Sequence, residues 1–136
     1  EPVKDLSRIA SGGELSRVML AIKTILTGAD TIETMIFDEI DTGIGGEVAL
    51  SVGQYLAEIG RAKQIFCVTH LASIAVRADN HLMVAKKTDG SRTHTVVSAL
   101  KPGERRAEIA RMLAGGAGSA ALAHADELLA KYSKRD

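Results

Sequence analysis

The feature that most constrains the fold is a pair of short apolar runs with one helical pattern between them. The runs are Thr34–Phe37 and Ile65–Val68, and each has the length and composition of a strand buried on both faces. The apolar residues between them recur at helical spacing, at Val48, Val52, Leu56 and Ile59. This order predicts a βαβ unit, with parallel strands joined by a right-handed crossover. The predicted fold class is therefore α/β.

Each apolar run stops abruptly at polar residues. Asp38 and Glu39 follow the first run, and Thr69 and His70 follow the second. Parallel strands end at the same edge of a sheet, and ligands in open α/β sheets bind outside that edge. We therefore expect two carboxylates and an imidazole to lie close together.

The other segments predict helices and one hairpin. An apolar helical stripe precedes the first strand, formed by Leu15, Val18, Met19, Ile22, Ile25 and Leu26, and Gly28 is placed to end it. Residues 71–77 suggest a short helix. Asp89-Gly90 is a strong hairpin-turn signal between apolar segments at 82–85 and 93–100. Helices near 104–113 and 120–132 would close the chain, before a frayed tail at 133–136.

Composition limits the class of protein. The chain has 136 residues, which fits one domain or one lobe of a larger domain. It has 17 basic and 17 acidic residues, so bulk charge gives no support for a nucleic-acid partner. Cys67 is the only cysteine, which excludes an internal disulfide and suggests an inert core thiol. No apolar run could span a bilayer and no signal peptide opens the chain, so we expect a cytoplasmic protein. A start at Glu1-Pro2 hints at a fragment.

Ser11-Gly12-Gly13-Glu14 stands directly before the first predicted helix. A capping box between Ser11 and Glu14 accounts for its two ends. It does not explain two glycines in a first helical turn, where each costs about 1 kcal/mol relative to alanine. Glycines allow close approach to the backbone, and free N–H groups at a helix start bind anions. A phosphate at Gly12 and Gly13 is as plausible as a purely structural role.

The acidic pair also has two interpretations. Asp38 and Glu39 could be solvated acids at a strand end. Because adjacent residues there diverge, one carboxylate could instead hold a hydrated Mg²⁺ beside phosphates, while the other orients or deprotonates an attacking water. This is the Walker B pattern of nucleotide hydrolases.

Two further elements lie near the predicted edge. Asp41–Gly46 is a Gly-rich loop, common in α/β folds but here placed just after the paired acids, where it could cross a subunit boundary. His70 is either a structural histidine or a donor to a terminal phosphate. The other histidines have no such context, and a chain with one cysteine gives no support for a structural zinc site. The basic clusters, Lys86-Lys87 and Arg105-Arg106 with Arg111, more often form solvated faces than DNA contacts.

Together and in this order, these elements resemble the C-terminal half of the head of an ABC-type ATPase, and most closely the RecN family of SMC-like proteins. The resemblance rests on residues 9–23, 36–46, 68–71 and 108–113, and covers nearly the whole chain. Transporter ATPases are less similar, because they usually lack Thr-Gly-Ile-Gly-Gly after the acidic pair. The resemblance makes the chain a single lobe, with residues 1–10 leading in from a coiled coil.

The resemblance implies roles in an ATP sandwich between two heads, with DNA as the substrate of repair. Asp38 would support Mg²⁺, Glu39 would activate water and His70 would sense the γ-phosphate. The signature motif would reach the ATP held by the second head, through Ser11, Gly12, Gly13 and Glu14. Asp41 would link the two sites. The implied cofactors are ATP and Mg²⁺, and the implied partners are the N-terminal half of the head, a second head and DNA, with no membrane.

One departure limits the expected activity of this chain. It contains no Gly-x-x-x-x-Gly-Lys-Ser/Thr sequence, the Walker A phosphate loop, which in the family lies in the N-terminal half. We therefore expect no ATPase activity from this chain alone. Two other functions stay open: a nucleotide-gated DNA tether of the cohesin type, and the nucleotide-binding half of a transporter.

Overall fold

The computed structural model describes residues 11–26, 31–116 and 118–133, and its fold is mixed α/β. The predicted fold class is confirmed. The lead-in segment 1–10, the helix end at Gly28 and the tail from 134 onwards lie outside the described residues. None of the helices in the described ranges is both long enough and apolar enough to span a membrane.

The described elements form two compact units, one ending at Ile74 and one beginning at Ala75. In the first unit the elements are α1 (Gly12–Leu26), β1 (Thr34–Phe37), α2 (Gly46–Ile59), β2 (Gln64–Cys67) and α3 (Ala72–Ala75, which crosses into the second unit). In the second they are β3 (Leu82–Asp89), β4 (Arg92–Ala99), α4 (Pro102–Ala114) and α5 (Ser119–Tyr132). The single lobe implied by the resemblance stays a prediction.

The first unit contains the predicted strand–helix–strand element. β1 and β2 pair in parallel, with Phe37 opposite Cys67. The core of this unit consists of buried apolar side chains of α1, β1 with the turn after it, α2 and α3. These residues are Leu20, Met35, Phe37, Ile40, Ala49, Val52, Leu56, Ile59 and Ile74. Burying each of the larger ones contributes about 1.5–3 kcal/mol to stability. Of the four apolar residues that predicted α2, three are buried and Val48 is 54% exposed.

The prediction that both faces of each strand are buried was wrong. In β1, Met35 and Phe37 are buried, whereas Thr34 is exposed and Ile36 is 73% exposed. Successive side chains of a strand point to opposite faces, and the described elements of this unit bury only one of them. Phe66 is likewise 43% exposed. The apolar composition of the strands is therefore real, but one sheet face stays uncovered within the described residues.

Helix α1 departs from its prediction in the same way. The predicted stripe from Leu15 to Leu26 is exposed, and Ile25 reaches 83%. The face that packs within the unit lies opposite, and carries Gly13, Ser16, Arg17 and Leu20 at steps of three and four residues. The amphipathic pattern correctly predicted a helix, but the apolar side is not the side this unit buries.

The second unit is a hairpin followed by two helices. Gly90 has φ +59°, a conformation that L side chains rarely adopt, which explains the predicted Asp-Gly turn. The basic residues near 105 serve the unit itself: Arg105 donates to the carbonyl oxygens of Val76 and Ala78, at 3.0 and 2.7 Å. Arg106 forms two bonds of 2.6 Å to Asp126, which joins α4 to α5.

Candidate functional site

The carboxyl ends of β1 and β2 bring the predicted polar residues to one edge of the sheet. Pairing continues one step past the strands, because the Val68 N–H donates to the Phe37 carbonyl oxygen at 2.9 Å. The acidic pair follows β1, and Thr69-His70 follows β2 one residue after this bond. Burial, together with smaller effects of the carboxylates of Asp41 and Asp38, raises the pKa of the Cys67 thiol to about 12. The parallel pairing therefore places the residues that follow β1 and β2 at the same edge of the sheet.

The acidic pair forms a tight turn. Asp38 Oδ1 accepts the Glu39 N–H at 2.8 Å, and the Glu39 carbonyl oxygen accepts the Thr42 N–H at 3.0 Å. Glu39 has φ +56°, which makes it the only non-glycine residue with positive φ among those described. Such a conformation costs about 1–3 kcal/mol and persists only where surrounding contacts hold it. Both carboxylates are exposed at this turn.

Asp41 is the buried acid of the site, with 4% of its surface exposed. Its Oδ2 accepts the Thr69 hydroxyl at 2.6 Å and the His70 N–H at 2.7 Å, and lies 2.8 Å from His70 Nδ1. Burial opposes ionisation of this carboxyl, but the bonds from Thr69 and His70 outweigh it and lower the pKa of Asp41. One carboxylate thus fixes both the backbone and the ring of His70.

The geometry at Asp41 also orients the His70 ring. Asp41 Oδ2 lies 2.8 Å from Nδ1, so this ring nitrogen faces the carboxylate. The His70 side chain is nevertheless 74% exposed, so Nε2 is accessible to a ligand at the sheet edge. The sequence predicted that His70 lies at the edge and that Asp41 lies in the loop after β1. It did not predict that Asp41 holds His70 in place.

The start of α1 has the predicted capping box. The Ser11 N–H donates to Glu14 Oε2 at 2.8 Å, and the Glu14 N–H donates to Ser11 Oγ at 3.3 Å. These bonds from the Ser11 backbone and hydroxyl lower the pKa of Glu14. Ser11 remains exposed at the helix end, where a further ligand could reach it.

The two glycines face the chain's own acidic turn. A Cβ at Gly12 would collide with the Glu39 carboxylate, and a Cβ at Gly13 would lie 2.7 Å from the Glu39 carbonyl oxygen. The contact with a main-chain oxygen requires glycine at position 13, whereas at position 12 the neighbouring atoms belong to the end of a flexible, exposed side chain. The sequence argument for a phosphate loses part of its basis, since Gly13 now has a structural reason.

Helix α1 also bonds directly to this turn, through residues that sequence reasoning did not single out. The Ser16 hydroxyl donates to the Asp38 carbonyl oxygen at 2.8 Å. Arg17 Nη1 donates to the carbonyl oxygens of Ile40 and Thr42, at 3.2 and 2.9 Å. A signal for these residues was present, because Ser16 and Arg17 follow Gly13 at three- and four-residue steps and so share its helix face.

The Gly-rich loop after the acids is open. Gly43 and Gly46 have φ +72° and +52°, and nothing lies within 4 Å of a Cβ placed on either. The glycines are therefore required by backbone conformation and not by packing. The predicted position of this loop at a subunit boundary stays a prediction. Among the described residues, no group of three or more histidine, cysteine or acidic side chains is arranged to hold a metal ion.

Comparison with known proteins identifies similar sequences over nearly the whole chain. A DNA repair protein of Treponema pallidum is 55% identical over 131 residues, which are 95% of this chain and 23% of that protein. One of Deinococcus radiodurans is 52% identical over 130 residues, 96% of this chain and 23% of the relative. One of Streptomyces coelicolor is 47% identical over 129 residues, 94% and 23% respectively. No family model matches the chain.

The class that these relatives define is that of bacterial DNA repair proteins. Each of the three is RecN, and this chain corresponds to a C-terminal part of RecN. The resemblance drawn from the motifs is thereby confirmed. The chain spans less than a quarter of the length of these relatives, at 23% of each.

Proposed function

We propose that this chain is the C-terminal part of a RecN-like ATPase head that acts in the repair of DNA double-strand breaks. The observation that carries the proposal is the convergence at one sheet edge of two exposed acids and a histidine held by a buried carboxylate. The similarity to DNA repair proteins supports the same reading. In this proposal, two copies of the complete head bind two ATP molecules between them.

Each side chain at the edge has a role that its chemistry suits. Asp38 holds Mg²⁺, which in nucleotide sites needs only one or two carboxylates from the protein, and the ion neutralises phosphate charge. Glu39 orients and deprotonates the attacking water. His70 contacts the terminal phosphate through the ring edge that faces away from Asp41. Asp41 links this site to its counterpart by fixing the loop that reaches the other head.

The second half of the ATP site comes from the other copy. Ser11, Gly12 and Gly13 present the first N–H groups of α1 to the phosphate held by that copy, and Glu14 completes the cap. The signature motif and the acidic pair of one chain therefore serve different ATP molecules. ATP closes the two heads and hydrolysis opens them.

The N-terminal half of the head is the proposed partner of the uncovered apolar surface. The apolar stripe of α1 and the strand residue Ile36 are exposed in this chain, and large exposed apolar surfaces often mark sites of protein–protein contact. Relatives more than four times as long provide the chain to cover it. That half also supplies the phosphate loop that this chain lacks.

ATP turnover by the full-length protein that contains this chain tests the proposal. We expect Glu39→Gln to lower kcat by about 100-fold or more, because a positioned base contributes 10²–10⁴-fold. The same protein should accumulate as an ATP-bound dimer by light scattering. Glu58→Gln, a matched change at an exposed glutamate of α2, should leave both properties unchanged.

Two results would contradict the proposal. One is a Glu39→Gln protein that hydrolyses ATP at the wild-type rate. The other is a protein that stays monomeric in ATP. DNA bridging that survives in Glu39→Gln would favour a nucleotide-gated tether, in which hydrolysis is incidental.

A further inference from the structure

Three hydrogen bonds join α1 to the turn that carries the acidic pair. They run from Ser16 to the Asp38 carbonyl oxygen and from Arg17 to those of Ile40 and Thr42. The bonds therefore bracket Glu39 on both sides. Arg17 alone supplies two of them, from one nitrogen, to carbonyl groups that are two residues apart.

Glu39 needs such support because its own backbone is strained. With φ +56°, the residue lies in the left-handed region, where a side chain larger than glycine is disfavoured. Its carboxylate is exposed and lies against Gly12, which has no side chain that could hold it in place. The direction of the carboxylate thus depends on the turn, and the turn depends on its anchors in α1.

Gly13 makes the arrangement possible. A Cβ on this residue would lie 2.7 Å from the Glu39 carbonyl oxygen and 3.2 Å from Arg17 Nη1. The guanidinium and the turn therefore occupy the space that a side chain at position 13 would fill. Gly13, Arg17 and Glu39 are one packed cluster and not three independent motif residues.

We infer that Arg17 is a positioning residue that holds the Glu39 turn against the first two turns of α1. The inference rests on the proposed function and deepens it. The start of α1, which contacts the ATP of the other head, and Glu39, which acts on the ATP of its own head, are joined into one piece by Arg17. Any shift of α1 on ATP binding is therefore transmitted to Glu39 in the same chain.

Steady-state ATP hydrolysis by variants of the full-length protein tests this role. We expect Arg17→Ala to lower kcat by roughly 10- to 100-fold, because small misplacements of a catalytic group have effects of that size. KM for ATP should stay within about threefold of wild type, since Arg17 contacts the turn and not the nucleotide. Arg17→Lys should recover part of the rate, because an ammonium lacks the rigid fork of the guanidinium. Arg61→Ala, at an exposed arginine of the same unit, should change neither constant.

A double-mutant cycle separates positioning from general stability. If Arg17 acts through Glu39, adding Arg17→Ala to Glu39→Gln should lower the residual rate by less than about twofold. A fall as large as in the wild-type background would overturn the inference. So would an Arg17→Ala protein with kcat within about twofold of wild type, or one in which only KM changes.

Two controls keep the result interpretable. If Arg17→Ala does not fold, Arg17→Lys decides, and a full wild-type rate in that variant overturns the inference. If Glu39→Gln itself keeps the wild-type rate, the proposed function fails and not the assignment of Arg17 alone. Dependence of turnover on Glu39 but not on Arg17 would refute only the positioning role.

Discussion

Among the described residues, each unit buries one carboxylate, and the two carboxylates have different partners. Asp41 in the first unit is 4% exposed and Glu108 in the second is 9% exposed, so burial does not distinguish them. Asp41 is bonded to residues 28 and 29 positions away, at the end of the neighbouring strand. Glu108 is bonded to Arg111, three positions along the same helix, at 2.6 and 2.7 Å. The first acid therefore fixes two loops relative to each other, whereas the second stabilises one turn of a helix.

The same difference holds for the glycines at the helix starts. Gly13 is the second residue of α1 and is surrounded by the chain's own acidic turn. Gly103 is the second residue of α4, and nothing lies within 4 Å of a Cβ placed there. At these two helix starts, the close contact with a distant segment is therefore in the first unit, at the proposed site. For both matched features, the buried acid and the glycine at a helix start, only the residue of the first unit joins distant segments.

The largest expected effect concerns the exposed apolar face of α1. Ile22→Asp in the full-length protein should lower the free energy of unfolding by about 3 kcal/mol or more, because a charge would be buried against the N-terminal half. Ala123→Asp, at an exposed position of α5, should change it by about 0.5 kcal/mol. Urea unfolding measures both. Equal small effects would mean that solvent, and not a partner lobe, covers Ile22.

The two buried acids should differ next. Asp41→Ala should lower the free energy of unfolding by about 2–4 kcal/mol, because it leaves the Thr69 hydroxyl and the His70 N–H without their acceptor. Glu108→Ala should lower it by about 0.5–1 kcal/mol, as expected for a pair within one helix whose arginine is largely exposed. Chemical denaturation of each variant checks the difference. A larger loss at Glu108 would reverse the comparison.

Alanine at the two helix-start glycines, Gly13 and Gly103, should change stability in opposite directions. Gly13→Ala should destabilise the protein by about 1–3 kcal/mol, because the new methyl group meets main-chain atoms that cannot move freely. Gly103→Ala should be neutral or stabilise by up to about 1 kcal/mol, since an open helix position gains from alanine. Thermal unfolding of the two variants is sufficient. Stabilisation by Gly13→Ala would show that the acidic turn is not packed on α1.

The smallest effect is in the pH dependence of stability. The pKa of Asp41 is lower in the folded chain than its ordinary value, so its ionised form contributes stability above about pH 4, and this contribution is lost as the pH falls through the folded-state value. Asp41→Asn has no such carboxyl. The difference in unfolding free energy between wild type and Asp41→Asn should therefore be constant near neutral pH and shrink in acid. A stability difference that does not vary with pH would contradict the conclusion that folding lowers the pKa of Asp41.

Local patterns in the sequence were enough to predict the elements of the fold. Thr34–Phe37 was predicted with the bounds that β1 has, and the hairpin turn at Asp89-Gly90 was also correct. Burial was predicted less well, because it depends on what covers each face. Ile36 is a large apolar residue of the kind usually found in a core, yet it is 73% exposed, because the described residues cover only one face of the sheet.

The site was predictable only in part. Chain order and strand direction were enough to place Asp38 and His70 at one edge. The bonds that hold the site were not predictable, because they join residues far apart in sequence whose side chains carry no shared pattern. Asp41 with Thr69 is one example, and Arg17 with the turn at Ile40–Thr42 is another. A glycine that appears suited to a phosphate can equally be required by the chain's own fold, as Gly13 is.

An experimental structure of the full-length Glu39→Gln protein with ATP and Mg²⁺ tests the central claim most directly. The account predicts Asp38 beside the metal and His70 Nε2 at the terminal phosphate of one ATP, with Ser11 of the same chain at the ATP of the second copy. A nucleotide bound away from the ends of β1 and β2 would contradict the account. So would a single ATP contacted by Ser11 and Asp38 of one chain.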